Sequence, residues 1–138
     1  NHLQTETKNK PAFSITRFAK SLQNAFNGLF WVFTHERNMQ LHAVAALLAV
    51  LFGIWLRVSG IEWAVLCLTI GSVMAAEAFN SAIEQLTDMV SPDFNPKAGL
   101  VKDLAAGAVT LVAISAVAVA IGIFAPKIWS KYLVLYFS

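Results

Sequence analysis

The sequence predicts an all-α membrane protein in which an N-terminal amphipathic helix lies at the interface and three further helices cross the bilayer. Composition is the first observation: of 138 residues 57% are hydrophobic and only 13% charged, against about 25% charged in soluble domains. Mean hydropathy is +0.62, so there is too little charge to coat a water-facing surface of this size. A soluble enzyme domain and a disordered tail are disfavoured together. The net charge of +2 comes without a stripe of Lys and Arg, so no nucleic-acid partner is expected.

The second observation is the set of charge-free stretches, because an ionised group at the bilayer centre costs roughly 2.5–3.5 kcal/mol on insertion scales. Uncharged runs of 19, 14 and 23 residues lie between Arg37 and Arg57, Glu62 and Glu77, and Asp103 and Lys127, against about 20 needed for a helical span. The third is a face: Phe18, Leu22, Ala25, Phe26, Leu29, Phe30 and Phe33 recur at helical spacing.

Taken in order, residues 1–12 form a loose polar N-terminus and residues 13–125 a membrane domain. Its surface helix covers about 13–34, with Arg17, Lys20, Ser21, Asn24 and Gly28 opposite the aromatic face. The first span covers about 38–57. The second, about 62–88, reaches full length only by admitting Glu77 to membrane depth; from Trp63 to Asp88 no proline ends it earlier. Ser91 to Gly99, reading SPDFNPKAG, is the main loop, and the third span covers about 102–125. The tail, residues 126–138, is open between an interfacial helix and a loose end. Seven Lys and Arg residues fall on the side of the N-terminus and this loop and three on the other, which places the loop in the cytoplasm.

Chemistry concentrates on the second span. Glu77, Asn80, Glu84 and Asp88 are spaced 3, 4 and 4 and share one narrow helical face. Several acids on one face need a positive partner, and phosphate-bound Mg²⁺ suits them, because it takes one or two carboxylates and leaves its other positions to water and phosphate. Glu36 precedes the first span, and Lys102-Asp103 opens the third on the same side. That stratification, a deep acid below water-facing cations, suits phosphoryl transfer from a nucleotide to a lipid alcohol. An ion- or proton-conducting oligomer is the alternative, and it would need acids through the whole depth. His42 reads as a packed core residue and Glu62 as an interfacial cap. No P-loop and no kinase-type glycine loop is present.

The run Glu77-x-x-Asn80-Ser81-Ala82-Ile83-Glu84-x-x-x-Asp88, followed by Lys102-Asp103-Leu104-Ala105-Ala106-Gly107-Ala108, closely resembles the bacterial integral-membrane diacylglycerol kinase family, which includes the undecaprenol kinases. The likeness runs from about Phe13 to Phe124. It implies a homotrimer with active sites between subunits, in the bacterial cytoplasmic membrane, using ATP and Mg²⁺. On matching positions, Glu77 is implied as general base with Asn80 orienting the row, Glu36 and Glu84 as Mg²⁺ ligands, and Lys102 as the phosphate-binding cation. The resemblance also puts Arg17, Asn24, Asp93, Phe94, Asn95 and Asp103 at the nucleotide, and Arg17, Ser21 and Glu77 at the lipid substrate. Asn95 stands where many members have His, and Asn24 where the diacylglycerol-specific branch has an aromatic residue. Glu36-Arg37-Asn38, Ile61-Glu62-Trp63 and the Lys102–Val109 stretch look more like the undecaprenol kinase branch, which favours a long polyprenol over diacylglycerol as acceptor.

Overall fold

The structure, a computed structural model, describes residues 14–137, with side chains described as far as Tyr132. The polar N-terminus expected at 1–12, and Phe13, lie outside the described residues. The described residues form four helices: α1, Ile15–His35; α2, Arg37–Trp55; α3, Gly60–Val90; and α4, Pro96–Phe137. Helices α2, α3 and α4 are each long and apolar enough to cross a membrane. The chain is a membrane protein, and at about 1.5 Å per residue α2 alone matches the roughly 30 Å hydrocarbon core.

Helix α1 keeps its apolar face uncovered, with Phe18, Leu22, Phe26, Leu29 and Phe30 exposed and Val32 its buried residue. Polar Arg17, Lys20, Ser21 and Asn24 are exposed as well. A surface helix bathed in water would not tolerate this, whereas one lying in the interface requires it. Glu36 breaks α1 from α2 in an extended conformation, its N–H bonding the Val32 carbonyl.

The end of α2 is a Schellman turn. Val58 N–H bonds the Gly53 carbonyl at 3.0 Å and Arg57 N–H bonds that of Ile54 at 3.2 Å, the paired pattern that closes a helix with one left-handed residue. That residue is Arg57, with φ 51°. Ser59 then starts α3 through a capping box: the Ser59 N–H donates to Glu62 Oε2 at 2.6 Å, and the Glu62 N–H donates to Ser59 Oγ at 3.4 Å. The cap expected of Glu62 is therefore present. Gly53 allows α2 to meet α3 here, since a Cβ on it would lie 2.8 Å from the Trp63 ring.

Helix α3 packs chiefly against α4 and secondarily against α2. Leu66 and Val73 of α3, Ala105 and Val109 of α4 and Met39 of α2 form the buried seam. Four hydroxyls inside the spans turn back on their own helix, Thr69 to Val65, Ser72 to Leu68, Thr110 to Ala106 and Ser115 to Leu111, which satisfies them without water; Ser81 Oγ is buried without such a partner.

Two boundaries differ from the sequence reading. Helix α4 begins at Pro96, inside the stretch expected as loop, because Asn95 Oδ1 accepts from the Lys97 N–H at 3.0 Å and Pro96 occupies the first helical turn, where its missing N–H costs nothing. At the other end α4 continues past the expected limit at 125, through Pro126 to Phe137. A proline in a helix forfeits one backbone bond, and here Lys127 and Lys131 tie the extension back to the bundle: Lys127 pairs with Glu62 at 3.0 Å, and the Lys131 ammonium sits 4.1 Å from the centre of the Trp55 ring.

Candidate functional site

The acidic row forms because α3 stays helical without interruption from its cap at Ser59 to Val90. If Glu62 marks one boundary of the hydrocarbon, Glu77 lies about 22 Å along the axis, within the roughly 30 Å core and near its far edge. Glu84 and Asp88 then fall about 33 and 39 Å along, at or beyond that edge. The row therefore climbs out of the membrane at the end where α4 begins.

Glu77 is 1% exposed, Asn80 5% and Ser81 2%. A cavity of about 510 Å³ opens beside the row, lined by Glu77, Asn80 and Glu84 from α3, Asn38 and His42 from α2, and Thr110 among the α4 residues. Asn80 Nδ2 donates to Glu84 Oε1 at 2.9 Å, locking the two side chains across one helical turn. Glu77 Oε2 and Asn80 Oδ1 are buried without a hydrogen-bond partner. Such groups are costly in a low-dielectric interior, so these two oxygens are set to take a proton or a donor from something that enters the cavity. The Glu77 carboxyl lies beside Asn38 and within the field of His42, Glu84 and Glu36. Thus the structure groups Glu77, Asn80 and Glu84 at the cavity wall, while Glu36 acts on Glu77 from outside the lining.

Lys102 joins this group indirectly. Its ammonium pairs with Asp88, the last member of the row. Asp103 next to it is exposed, as are Asp93, Phe94 and Asn95 in the connection before α4. Asn95 has a backbone role there, as the cap of α4. Arg17, Ser21 and Asn24 lie exposed on α1 and do not line the Glu77 cavity. Within one chain, then, the deep acids are assembled and the residues assigned to the nucleotide are spread around them.

Sequence reasoning passed over Asn38 and took His42 for a packed residue, yet both line the cavity. Their signal was present: a polar pair one helical turn apart at the start of a largely apolar span, on the face that meets the acidic row. For the metal, the donor set is suitable but small. Among the described residues no group of three or more His, Cys, Asp and Glu is placed to hold a metal ion unaided. Glu36 and Glu84 are two carboxylates that both act on Glu77, a set too small for a caged ion and suited to Mg²⁺ carried in by phosphates.

Comparison with known proteins decides what this arrangement belongs to. The profile of the prokaryotic diacylglycerol kinases matches residues 23–124, which contain the whole row, the cavity and Lys102. The chain belongs to the prokaryotic diacylglycerol kinase family. It is 37% identical over 114 residues to the undecaprenol kinase of Bacillus subtilis, covering 83% of this chain and 93% of that one. It is 33% identical over 102 residues to the diacylglycerol kinase of Escherichia coli K12, covering 74% and 84% of the two chains. The diacylglycerol kinase of Synechocystis is 36% identical over 100 residues, 72% of this chain and 57% of that one. As a member of the prokaryotic diacylglycerol kinase family, the protein is a lipid kinase, and the conduction alternative is not favoured. Among the described residues, the acid at the opposite end of α3, Glu62, is held in its cap and by Lys127, and the fourteen residues between Glu62 and Glu77 carry no carboxylate.

Proposed function

We propose that the protein transfers the γ-phosphoryl group of ATP to the hydroxyl of a membrane lipid, with undecaprenol the favoured acceptor and diacylglycerol the alternative. The observation that carries this reading is the buried, unpartnered Glu77 Oε2 at the wall of a 510 Å³ cavity near the membrane boundary. The preference for undecaprenol is supported by the greater identity to, and fuller coverage of, the Bacillus subtilis undecaprenol kinase.

In this reading the lipid hydroxyl enters the cavity and donates its hydrogen bond to Glu77. As the hydroxyl oxygen bonds to the γ-phosphorus, its proton passes to Glu77, and the bond from that phosphorus to the bridging oxygen breaks, with ADP the leaving group. Asn80 holds Glu84 in place through its Nδ2. Glu36 and Glu84 would hold Mg²⁺, which would supply positive charge to offset that of the phosphates. Lys102 reaches the phosphates by exchanging Asp88 for them. Arg17, Asn24, Asp93, Phe94, Asn95 and Asp103 contact the nucleotide, and Arg17 and Ser21 the lipid, once neighbouring subunits of a homotrimer complete the site. The active site then faces the cytoplasm from the bacterial inner membrane, which accords with the excess of Lys and Arg at that end.

The test is Mg·ATP-dependent phosphate transfer by the purified protein in mixed micelles, with undecaprenol and diacylglycerol offered separately and kcat/KM compared. A higher value for undecaprenol is expected. A higher value for diacylglycerol reverses the acceptor assignment, and transfer to neither removes the proposal.

A further inference from the structure

The end of the bundle away from the acidic row holds a second polar cavity that the kinase chemistry leaves unused. Its volume is about 630 Å³, and it is lined by Trp55, Leu56, Arg57, Lys127, Ser130 and Lys131, a size in the range of small-molecule sites. Three cations border it. Among the described residues, the acid paired with one of them is Glu62, spent on Lys127 at 3.0 Å and on the Ser59 cap.

Unconstrained cations at a membrane boundary snorkel apart into water. Two of these are held by side-chain contacts, and the third has its backbone fixed. Arg57 is fixed in the left-handed conformation by the Schellman turn, at a steric cost a glycine would avoid. Lys131 is kept over the Trp55 ring, and Lys127 is kept by Glu62. Lys127 and Lys131 stand one turn apart on α4, where like charges repel. Ser130 adds a hydroxyl to the same wall. Exposed Trp129 and Tyr132 lie on the same part of α4, the residue types that settle at the headgroup level.

We propose that this cavity is a binding site for a phosphate group at the membrane boundary, with Arg57 and Lys131 as its principal cations and Lys127 and Ser130 beside them. A phosphate offers the two negative charges and multiple acceptors that such a ring of donors lacks. It reaches the cavity either on a lipid headgroup or free in solution. The site is separate from the kinase reading, because none of its residues lines the Glu77 cavity.

The experiment titrates the full-length protein in neutral maltoside micelles with short-chain phosphatidic acid and, separately, with inorganic phosphate, by calorimetry. The wild type is compared with the double variant Arg57→Gly, Lys131→Gln. Arg57→Gly removes a charge while suiting the backbone, and a melting curve in the same detergent checks that the variant is folded. Binding at the acidic end is common to both proteins, so the difference reports this cavity. A loss of roughly tenfold or more in affinity is expected, with recovery in Arg57→Lys, Lys131→Arg. Phosphatidic acid binding that equimolar inorganic phosphate does not displace assigns the lipid headgroup, and displacement assigns free phosphate. Equal affinity in wild type and double variant, or binding of neither probe by the wild type, overturns the proposal.

Discussion

At the scale of residues, Glu77 carries the greatest consequence, since a carboxylate buried near the membrane boundary is retained only for use. Replacing it with Gln keeps size and shape but removes the proton acceptor. Glu77→Gln is expected to lower kcat by about 10²–10⁴-fold while leaving ATP binding intact, as read by turnover alongside nucleotide titration; near-normal turnover would remove Glu77 from the role of base. Glu84 presents a different test. Its Oε1 is engaged by Asn80, so Glu84→Gln should raise the Mg²⁺ concentration needed for half-maximal rate more than it lowers the rate at saturation. An unchanged Mg²⁺ titration would count against Glu84 as a ligand. The row itself was legible in the sequence, because spacings of 3, 4 and 4 give a common face in any straight helix. Asn38 and His42 were harder to find, since their importance depends on how α2 turns toward α3, which a single helix does not specify.

At the scale of elements, the connection between α2 and α3 offers sharp predictions. Arg57 holds a left-handed φ of 51°, which costs a non-glycine residue about 1–2 kcal/mol, partly offset by the extra freedom glycine has when unfolded. Melting temperatures in detergent should therefore rise for Arg57→Gly and fall for Arg57→Val, whose branched side chain suits that conformation least. One helical turn earlier, Gly53→Ala brings a methyl group to 2.8 Å from Trp63. Overpacking of this kind costs about 1–3 kcal/mol, more than the roughly 1 kcal/mol that alanine gains in a helix interior. The substitution should destabilise the protein alone and stabilise it in a Trp63→Phe background; the same sign in both would show that the ring is not the obstacle. The glycine-free turn is also why this helix end was placed by charge rather than by a stop signal. The start of α4 was blurred for a related reason: Asn-Pro reads equally as loop and as a cap followed by the first helical residue, and the hydrogen bond from the Lys97 N–H to Asn95 resolves it.

At the scale of the whole molecule, α3 and α4 are two antiparallel rods clamped at both ends. Glu62 and Asp88 on α3 pair with Lys127 and Lys102 on α4. The two intervals correspond to about 39 and 38 Å of helix, so the clamps agree on a single register. Such exposed pairs add little stability, but a slip by one turn would break both. The flank of α4 is largely open: only 6% of its apolar stretch is buried by the chain itself. Lipid can cover an apolar flank, but it cannot serve the polar wall around Glu77, and the residues assigned to the nucleotide on α1 lie outside that cavity. If subunits share sites, Glu77 of one subunit works with Arg17 of another. Two variants that are each inactive, Glu77→Gln and Arg17→Ala, should then recover roughly a quarter of the wild-type rate when unfolded, mixed equally and refolded together, because each site draws independently on two subunits. Activity that stays at the level of the separate variants would place Glu77 and Arg17 in the same chain's site, and α1 would have to swing over its own cavity to bring them together.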